Sequence, residues 1–231
     1  MNVLLRPIWN WFEFPPRLAA VRDQLAKPGA CLLDAGCGNH SPSITKRAFP
    51  RVEYHGIDNT EWNRDATDDE AIDRFFDLSL DDLDALERVP DGAYDAVICS
   101  HVLEHLHAPL ETAAALARKL RPGGVAYFEV PSPRTVDWPS AREGWMGIRG
   151  CLNFYDDPTH TEPVDLVDVR RRLESDGFSV QGPVPRRMRR RLLLLPAYVT
   201  AGLVFRGYVP ASVVWDVTGF ADAIVVTRTP G

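Results

Sequence analysis

From residue 28 onward, short apolar runs alternate with stretches whose apolar residues recur every three or four positions. Residues 30–34 (ACLLD), 52–58 (VEYHGID), the end of 71–77, 93–100 (AYDAVICS) and 124–130 (GVAYFEV) read as five buried strands. Between the last two, Leu106, Leu110, Ala113, Ala117 and Leu120 recur at helical steps, and Arg121-Pro122-Gly123-Gly124 stops that helix. Pro163 opens another, with Leu166, Val169 and Leu173 on one face. Residues 178–182 (FSVQG) read as a sixth strand and 221–227 (ADAIVVT) as a seventh, with a hairpin-like partner for it expected on the sheet edge. This alternation predicts an α/β fold, a seven-stranded, mostly parallel sheet with helices on both faces, because each right-handed crossover buries its helix against the strands. Ligands then bind at the carboxyl ends of the strands.

The length of 231 residues suits one elaborated domain over 1–231. Residues 1–27 are expected as an N-terminal lid or cap, and 131–163 and 183–220, which break the alternation, as substrate-side insertions. A hydrophobic share of 45%, a charged share of 25% and a mean hydropathy of -0.19 exclude a disordered tail, a collagen and a polytopic membrane protein. The N-terminus, broken by Pro7, Pro15 and Pro16 with Glu13 among them, does not read as a signal peptide. Cys31, Cys37, Cys99 and Cys151 form no C-x-x-C pair, so a reduced, cytoplasmic setting is expected. The net charge of -6 conceals two poles: 15 acids against 3 arginines in residues 53–95, and 8 arginines against 2 acids in 170–191. The acidic pole argues against nucleic acid as a partner, since phosphate contact needs a broad basic face.

The strongest local signal is LLDAGCGNHS, residues 32–41. A strand runs into Asp34, and Gly36 and Gly38 let the backbone turn tightly and approach a nucleoside cofactor closely. Asp58, twenty residues beyond Gly38 at the end of the second strand, is placed to accept both hydroxyls of a ribose. Asp77, at the end of the third, is placed to meet an adenine edge. Ser41 stands where a dinucleotide fingerprint needs its third glycine, which weighs against a nicotinamide cofactor.

The ordered series DAGCG, GIDN, the strand end at Asp77, YDAVICSHVLEHL and LRPGGVAYFEVP resembles the class I S-adenosylmethionine (SAM)-dependent methyltransferases, in particular small-molecule enzymes similar to the ubiquinone-pathway and sugar-modifying types. It covers about residues 30–130 and continues more weakly to Phe178. The resemblance implies a Rossmann-like fold, SAM as cofactor, and in-line transfer of its methyl group to an O or N atom of a small-molecule acceptor. It also implies that Asp34, Gly36, Cys37 and Gly38 line the methionine and ribose, that Asp58 holds the ribose hydroxyls with Asn59 flanking the adenine, that Asp77 and Leu78 face the adenine, and that Ser100 closes the site. The family often has a further glycine two residues after Gly38. This chain has His40 there, followed by Ser41-Pro42, so a short or irregular helix is expected. Two other classes share part of the signal: a SAM- or nucleoside-binding module without turnover, and a nicotinamide-dependent oxidoreductase.

His101-Val102-Leu103-Glu104-His105 formally matches the H-x-x-E-H signature of zinc hydrolases. It begins at a strand end, which places His101 in a loop; no metal is expected, and Glu104 and His105 read as capping and packing at the rim. Residues 153–160 (NFYDDPTH) cross the open end of the sheet, making Tyr155 and Asp157 candidate substrate contacts. His160 and His101 are candidate bases for an acceptor that must lose a proton. Trp9, Trp11, Phe12 and Phe14 read either as a mobile lid or as a staple of the N-terminal segment to the core. The run RRMRRR at 186–191 precedes LLLLPAYVTAGLVF, which is too short, and too interrupted by Pro196, to span a bilayer. It reads as a helix packed on the domain or in a homodimer, with peripheral contact to anionic lipid as the alternative.

Overall fold

The computed structural model describes residues 12–60 and 63–229. Its strands are β1 (Cys31–Ala35), β2 (Glu53–Asp58), β3 (Arg74–Asp77), β4 (Tyr94–Ser100), β5 (Leu120–Pro131), β6 (Ile148–Arg149), β7 (Phe178–Pro185), β8 (Val209–Pro210) and β9 (Ala221–Arg228). The α-helices are α1 (Pro16–Ala20), α2 (Arg22–Leu25), α3 (Ser41–Ala48), α4 (Ala66–Ala71), α5 (Pro109–Arg118), α6 (Leu166–Ser175), α7 (Leu195–Arg206) and α8 (Ala211–Thr218). Seven strands form one sheet in the order β3-β2-β1-β4-β5-β9-β7, and β6 pairs with β8 apart from it. Strands β1 to β5 pair in parallel, while β9 runs antiparallel to both β5 and β7.

The predicted α/β class is the observed one, and the last strand has an antiparallel partner on the sheet edge, as expected. β9 is inserted between β5 and β7, and β7 takes the border. The residues explain the arrangement. Ile224 and Val226 of β9 are buried in one core and Ala223 in the other, as an interior strand requires, whereas β7 carries Pro183 and Pro185, which lack the amide an interior ladder would use.

Period-2 alternation divides the core between the two faces. Leu33, Val97, Phe128 and Ile224 pack with Ala113, Leu116 and Ala117 of α5 and Val169 and Leu173 of α6. Leu32, Ala96, Ile98 and Tyr127 pack with Leu18 of α1, Val21 between α1 and α2, and Leu25 of α2. Each large aliphatic side chain so buried contributes roughly 1.5–3 kcal/mol over exposure.

Three boundaries differ from the sequence reading. Helix α5 starts at Pro109, so Leu106 falls after the single turn Leu103–His105 and Leu120 opens β5. A proline inside the helix would remove a hydrogen bond, but at the first turn it removes none. Helix α6 starts three residues after Pro163, where the Asp165 carboxylate accepts from the amide of Val167 at 2.8 Å. Ala71 closes α4, whose capping box joins Asp65 and Asp68, and so β3 is only four residues long.

Candidate active site

A cavity of about 1570 Å³ opens at the carboxyl ends of the parallel strands. It is lined by Asp34 and Gly36 after β1, Asp58 at the end of β2, Leu78 after β3, Ser100 and His101 after β4, and Glu129 and Pro131 at the end of β5. Five parallel strands present this edge together, and the chain order reverses between β1 and β4, which parts the loops above them.

On the β1–β2 side, the backbone at Gly36 has φ +75°, and its amide donates to Ile57 O at 2.8 Å. A Cβ at Gly36 would lie 2.2 Å from Val102 Cγ2, so both conformation and space require glycine there. The buried Asp34 carboxylate accepts from Ser41 Oγ and Tyr54 OH, each at 2.5 Å. Burial raises the Asp34 carboxyl above its ordinary range, against the lowering influence of Arg17 and the two hydroxyls. Asp58 Oδ1 accepts from both the amide and the hydroxyl of Thr60 at 2.9 Å, which fixes the carboxylate at the cavity wall. His40 adopts the left-handed conformation that glycine would favour, with φ +57°, and its Nδ1 lies 2.7 Å from Asp68 Oδ2. Helix α3 then follows as a short helix of eight residues, as expected, with Pro42 in its first turn.

On the β4–β5 side, His101 also takes a left-handed conformation, φ +57°. Its Nδ1 lies 3.2 Å from Glu104 Oε1 and its Nε2 lies 2.9 Å from Glu129 Oε1. Burial alone would lower the His101 pKa, but hydrogen bonds and charge from Glu104 and Glu129 outweigh it and raise the pKa to about 9. Glu129 is held down at about 2: burial opposes this, and the hydrogen bond from His101 and the charge of Arg186 prevail. Arg186 Nε lies 3.2 Å from Glu129 Oε1, and Arg186 also pairs with Asp216. Arg191 joins Asp216 to Glu13, which accepts as well from Tyr198 OH. Trp215 and Phe220 stack at 4.4 Å beside the His101 ring.

A methyltransferase domain family matches residues 10–181 of this chain. That is most of the sequence. The chain belongs to the class I SAM-dependent methyltransferases. It is 28% identical over 116 residues to a ubiquinone biosynthesis O-methyltransferase of Burkholderia pseudomallei, covering 49% of this chain and 50% of the relative. It is 31% identical over 161 residues to the 27-O-demethylrifamycin SV methyltransferase of Amycolatopsis mediterranei, covering 62% of this chain and 58% of that one. The matched region thus spans between half and three fifths of these relatives' lengths. A SAM-dependent methyltransferase from Archaeoglobus fulgidus shares the fold with a TM-score of 0.54 and 17% identity, over 98% of this chain and 100% of that structure.

Of the residues singled out from the sequence of this methyltransferase, Asp34, Gly36, Gly38, Asp58, Asn59, Leu78, Ser100, His101, Asp157 and His160 line this cavity. Three others do not. The Cys37 side chain is fully buried, its Sγ 2.6 Å from where a Cβ on Gly56 would stand, so it packs beneath the turn and burial pushes its thiol up. Asp77 pairs in register with Asp58 but is exposed, and Leu78, Ser79, Leu80 and Asp81 border the cavity in its place. Tyr155 is 60% exposed, because Phe154 takes the buried position and Asp156 accepts from the amides of Ala141, Leu152 and Asn153.

His101 is not a free base. With a pKa of about 9 it is an imidazolium at neutral pH, and both ring nitrogens face carboxylates. Glu104, read as a rim group, is fully buried as its partner. Of the aromatic residues proposed as a lid, Trp9 and Trp11 lie outside the described residues, the carbonyl of Phe12 accepts from Arg190, and Phe14 borders the cavity while packing edge-on against Phe49. The basic run is not a uniform surface patch, since Arg186 and Arg191 turn inward to Glu129, Asp216 and Glu13. Leu193, Val204 and Phe205 beyond it are exposed, and among the described residues no helix is long and apolar enough to cross a membrane. Sequence reasoning missed Glu129, Arg186, Asp216, Trp215 and Phe220. Only an acid ending the apolar run YFEVP signalled the first of them.

The pH dependence follows from His101. Its pKa is raised above the ordinary 6.5, so its contribution to stability is complete below about pH 6.5, declines above that, and is lost as pH rises through about 9. Ring-proton NMR should show one histidine titrating near 9, and His101→Gln should remove that transition and flatten the fall in thermal stability over the same interval. A His101 titration near 6.5 would contradict the buried ion pairs.

Proposed function

We propose that this chain transfers the methyl group of SAM to an oxygen of a small-molecule acceptor by in-line displacement. The observation that carries the reading is the continuity of one cavity across two chemically different halves. The half around Asp34, Gly36, Gly38, Asp58, Asn59 and Leu78 fits SAM, as the glycine turn after β1 allows close approach and two carboxylates favour its cationic and hydroxyl groups. When bound, SAM supplies a sulfonium-activated methyl group, so the protein chiefly contributes alignment. The other half, with His101, His105, Asp157, His160 and Trp215, is the acceptor side. Its walls come from 131–163 and 183–220, and Glu13 to Arg17 border the same space, which supports reading these as substrate-side insertions and a cap on one domain. An oxygen acceptor is favoured because the matched relatives from Burkholderia carry the name O-methyltransferase. The four cysteines are free thiols, in keeping with a cytoplasmic site of action.

His160 is placed to act on the acceptor. Its Nδ1 lies 2.6 Å from the carbonyl of Phe154, which can only accept, so Nδ1 carries the proton and Nε2 keeps its lone pair. His101 supplies fixed positive charge near the same wall instead of a base. Phenols, sugar hydroxyls and hydroxylated polyketides incubated with methyl-labelled SAM test the reading through labelled product. Asp58→Ala should weaken SAM binding by about 2 kcal/mol, roughly thirtyfold, since a carboxylate accepting from ribose hydroxyls is lost. Unchanged calorimetric affinity in a folded variant would remove Asp58 from the cofactor site. SAM binding with no product from any acceptor class would favour a non-catalytic module.

A further inference from the structure

We propose that Glu104, His105 and His160 form a binding site for one divalent first-row transition-metal ion, with zinc the natural match. The three side chains come from two separated segments, yet each offers a ligand atom within 4.8 Å of the others. All three line the acceptor half of the cavity. Glu104 is fully buried, and while its Oε1 faces His101, its Oε2 has no hydrogen-bond partner. A buried carboxylate oxygen left in this way is costly unless a cation takes it.

Both imidazoles are set in the state a metal needs. The Phe154 carbonyl, 2.6 Å from His160 Nδ1, fixes the proton on Nδ1 and leaves the Nε2 lone pair. His105 Nδ1 lies 3.2 Å from the Thr159 carbonyl and 3.0 Å from Thr159 Oγ1. That hydroxyl gives its own proton to Asp157 Oδ1 at 2.6 Å, so toward His105 it accepts, and His105 too is protonated on Nδ1 with Nε2 free. Orientation of ligating histidines by hydrogen bonds from the other ring nitrogen to carbonyls is the usual support around a metal. The His105 and His160 rings lie 4.8 Å apart, centroid to centroid.

Two imidazole nitrogens and one carboxylate oxygen suit zinc, cobalt, nickel or iron(II) rather than magnesium or calcium. The set differs from the H-x-x-E-H reading of the sequence. His101 is engaged by two carboxylates and is no ligand, and His160, fifty-five residues beyond His105, takes that place. Three protein ligands leave coordination positions open toward the cavity, where an acceptor hydroxyl would enter; with the ion bound, the His160 Nε2 lone pair is taken by the metal and His160 acts on the acceptor through the ion rather than as a free base, a role that rests on the acceptor-side reading above, whereas the site itself does not.

The test is titration of chelator-treated protein with Co²⁺, followed by visible d–d absorption and by calorimetry, with S-adenosylhomocysteine affinity measured on the same samples. One Co²⁺ per chain is expected, displaced by Zn²⁺. Glu104→Gln and His160→Ala should each weaken it by more than about tenfold. His107→Ala should leave it unchanged, because His107 is exposed and faces Asp81. S-adenosylhomocysteine affinity should stay the same in all three variants. No Co²⁺ band at millimolar metal, or equal binding by Glu104→Gln and wild type, would overturn the site. Failure of the wild type to bind S-adenosylhomocysteine would overturn the methyltransferase reading and leave the metal result intact.

Discussion

Glu129→Ala should destabilise the folded chain by about 3–5 kcal/mol, as expected when one member of a buried ion pair is removed and its partners stay behind. Glu129 is buried at the end of β5 and accepts from Tyr127 OH, lies 2.9 Å from His101 Nε2 and 3.2 Å from Arg186 Nε. Among the described residues, its loss leaves a guanidinium and an imidazolium with only Asp216 and Glu104 as carboxylate partners. Urea denaturation should show a lower midpoint with an unchanged slope. The His101 ring should also titrate well below 9 in this variant, because one of the two carboxylates that raise it is gone. A shift smaller than about 1 kcal/mol would mean that solvent already screens the cluster.

His160→Ala should lower kcat about a hundredfold while SAM affinity stays within about twofold, a lower-range value for a group that activates an acceptor. The separation is geometric. His160 is supported by the Phe154 carbonyl and ring and by His105, whereas the half proposed for SAM is built from the β1 and β2 ends and the turn after β3. Single-turnover methyl transfer beside equilibrium SAM binding separates the two effects. Equal loss of SAM affinity would move His160 to the cofactor side, and an unchanged rate would make it a packing residue.

Local pattern determined the seven strands of the main sheet, helices α5 and α6, and the turn after β1, because these are encoded in short contiguous pieces. A buried run ending in Asp34, two glycines and an acid at the next strand end are all properties of neighbours in sequence. Even His40, which departs from the family's glycine, leaves the turn intact, although its compensation by Asp68 lies twenty-eight residues away and could not be read beforehand. The placement of β9 inside the sheet, the inward turn of Arg186 and Arg191, and the pairing of His105 with His160 depended on tertiary structure alone. Each joins residues far apart in the chain, and each charge state is set by burial and partners rather than by residue type. Hence His101, a candidate base as a letter in SHVLEHL, is an imidazolium once Glu104 and Glu129 enclose it, and two arginines of the run 186–191, read as part of a packing or lipid-contact element, neutralise buried carboxylates at the cavity wall.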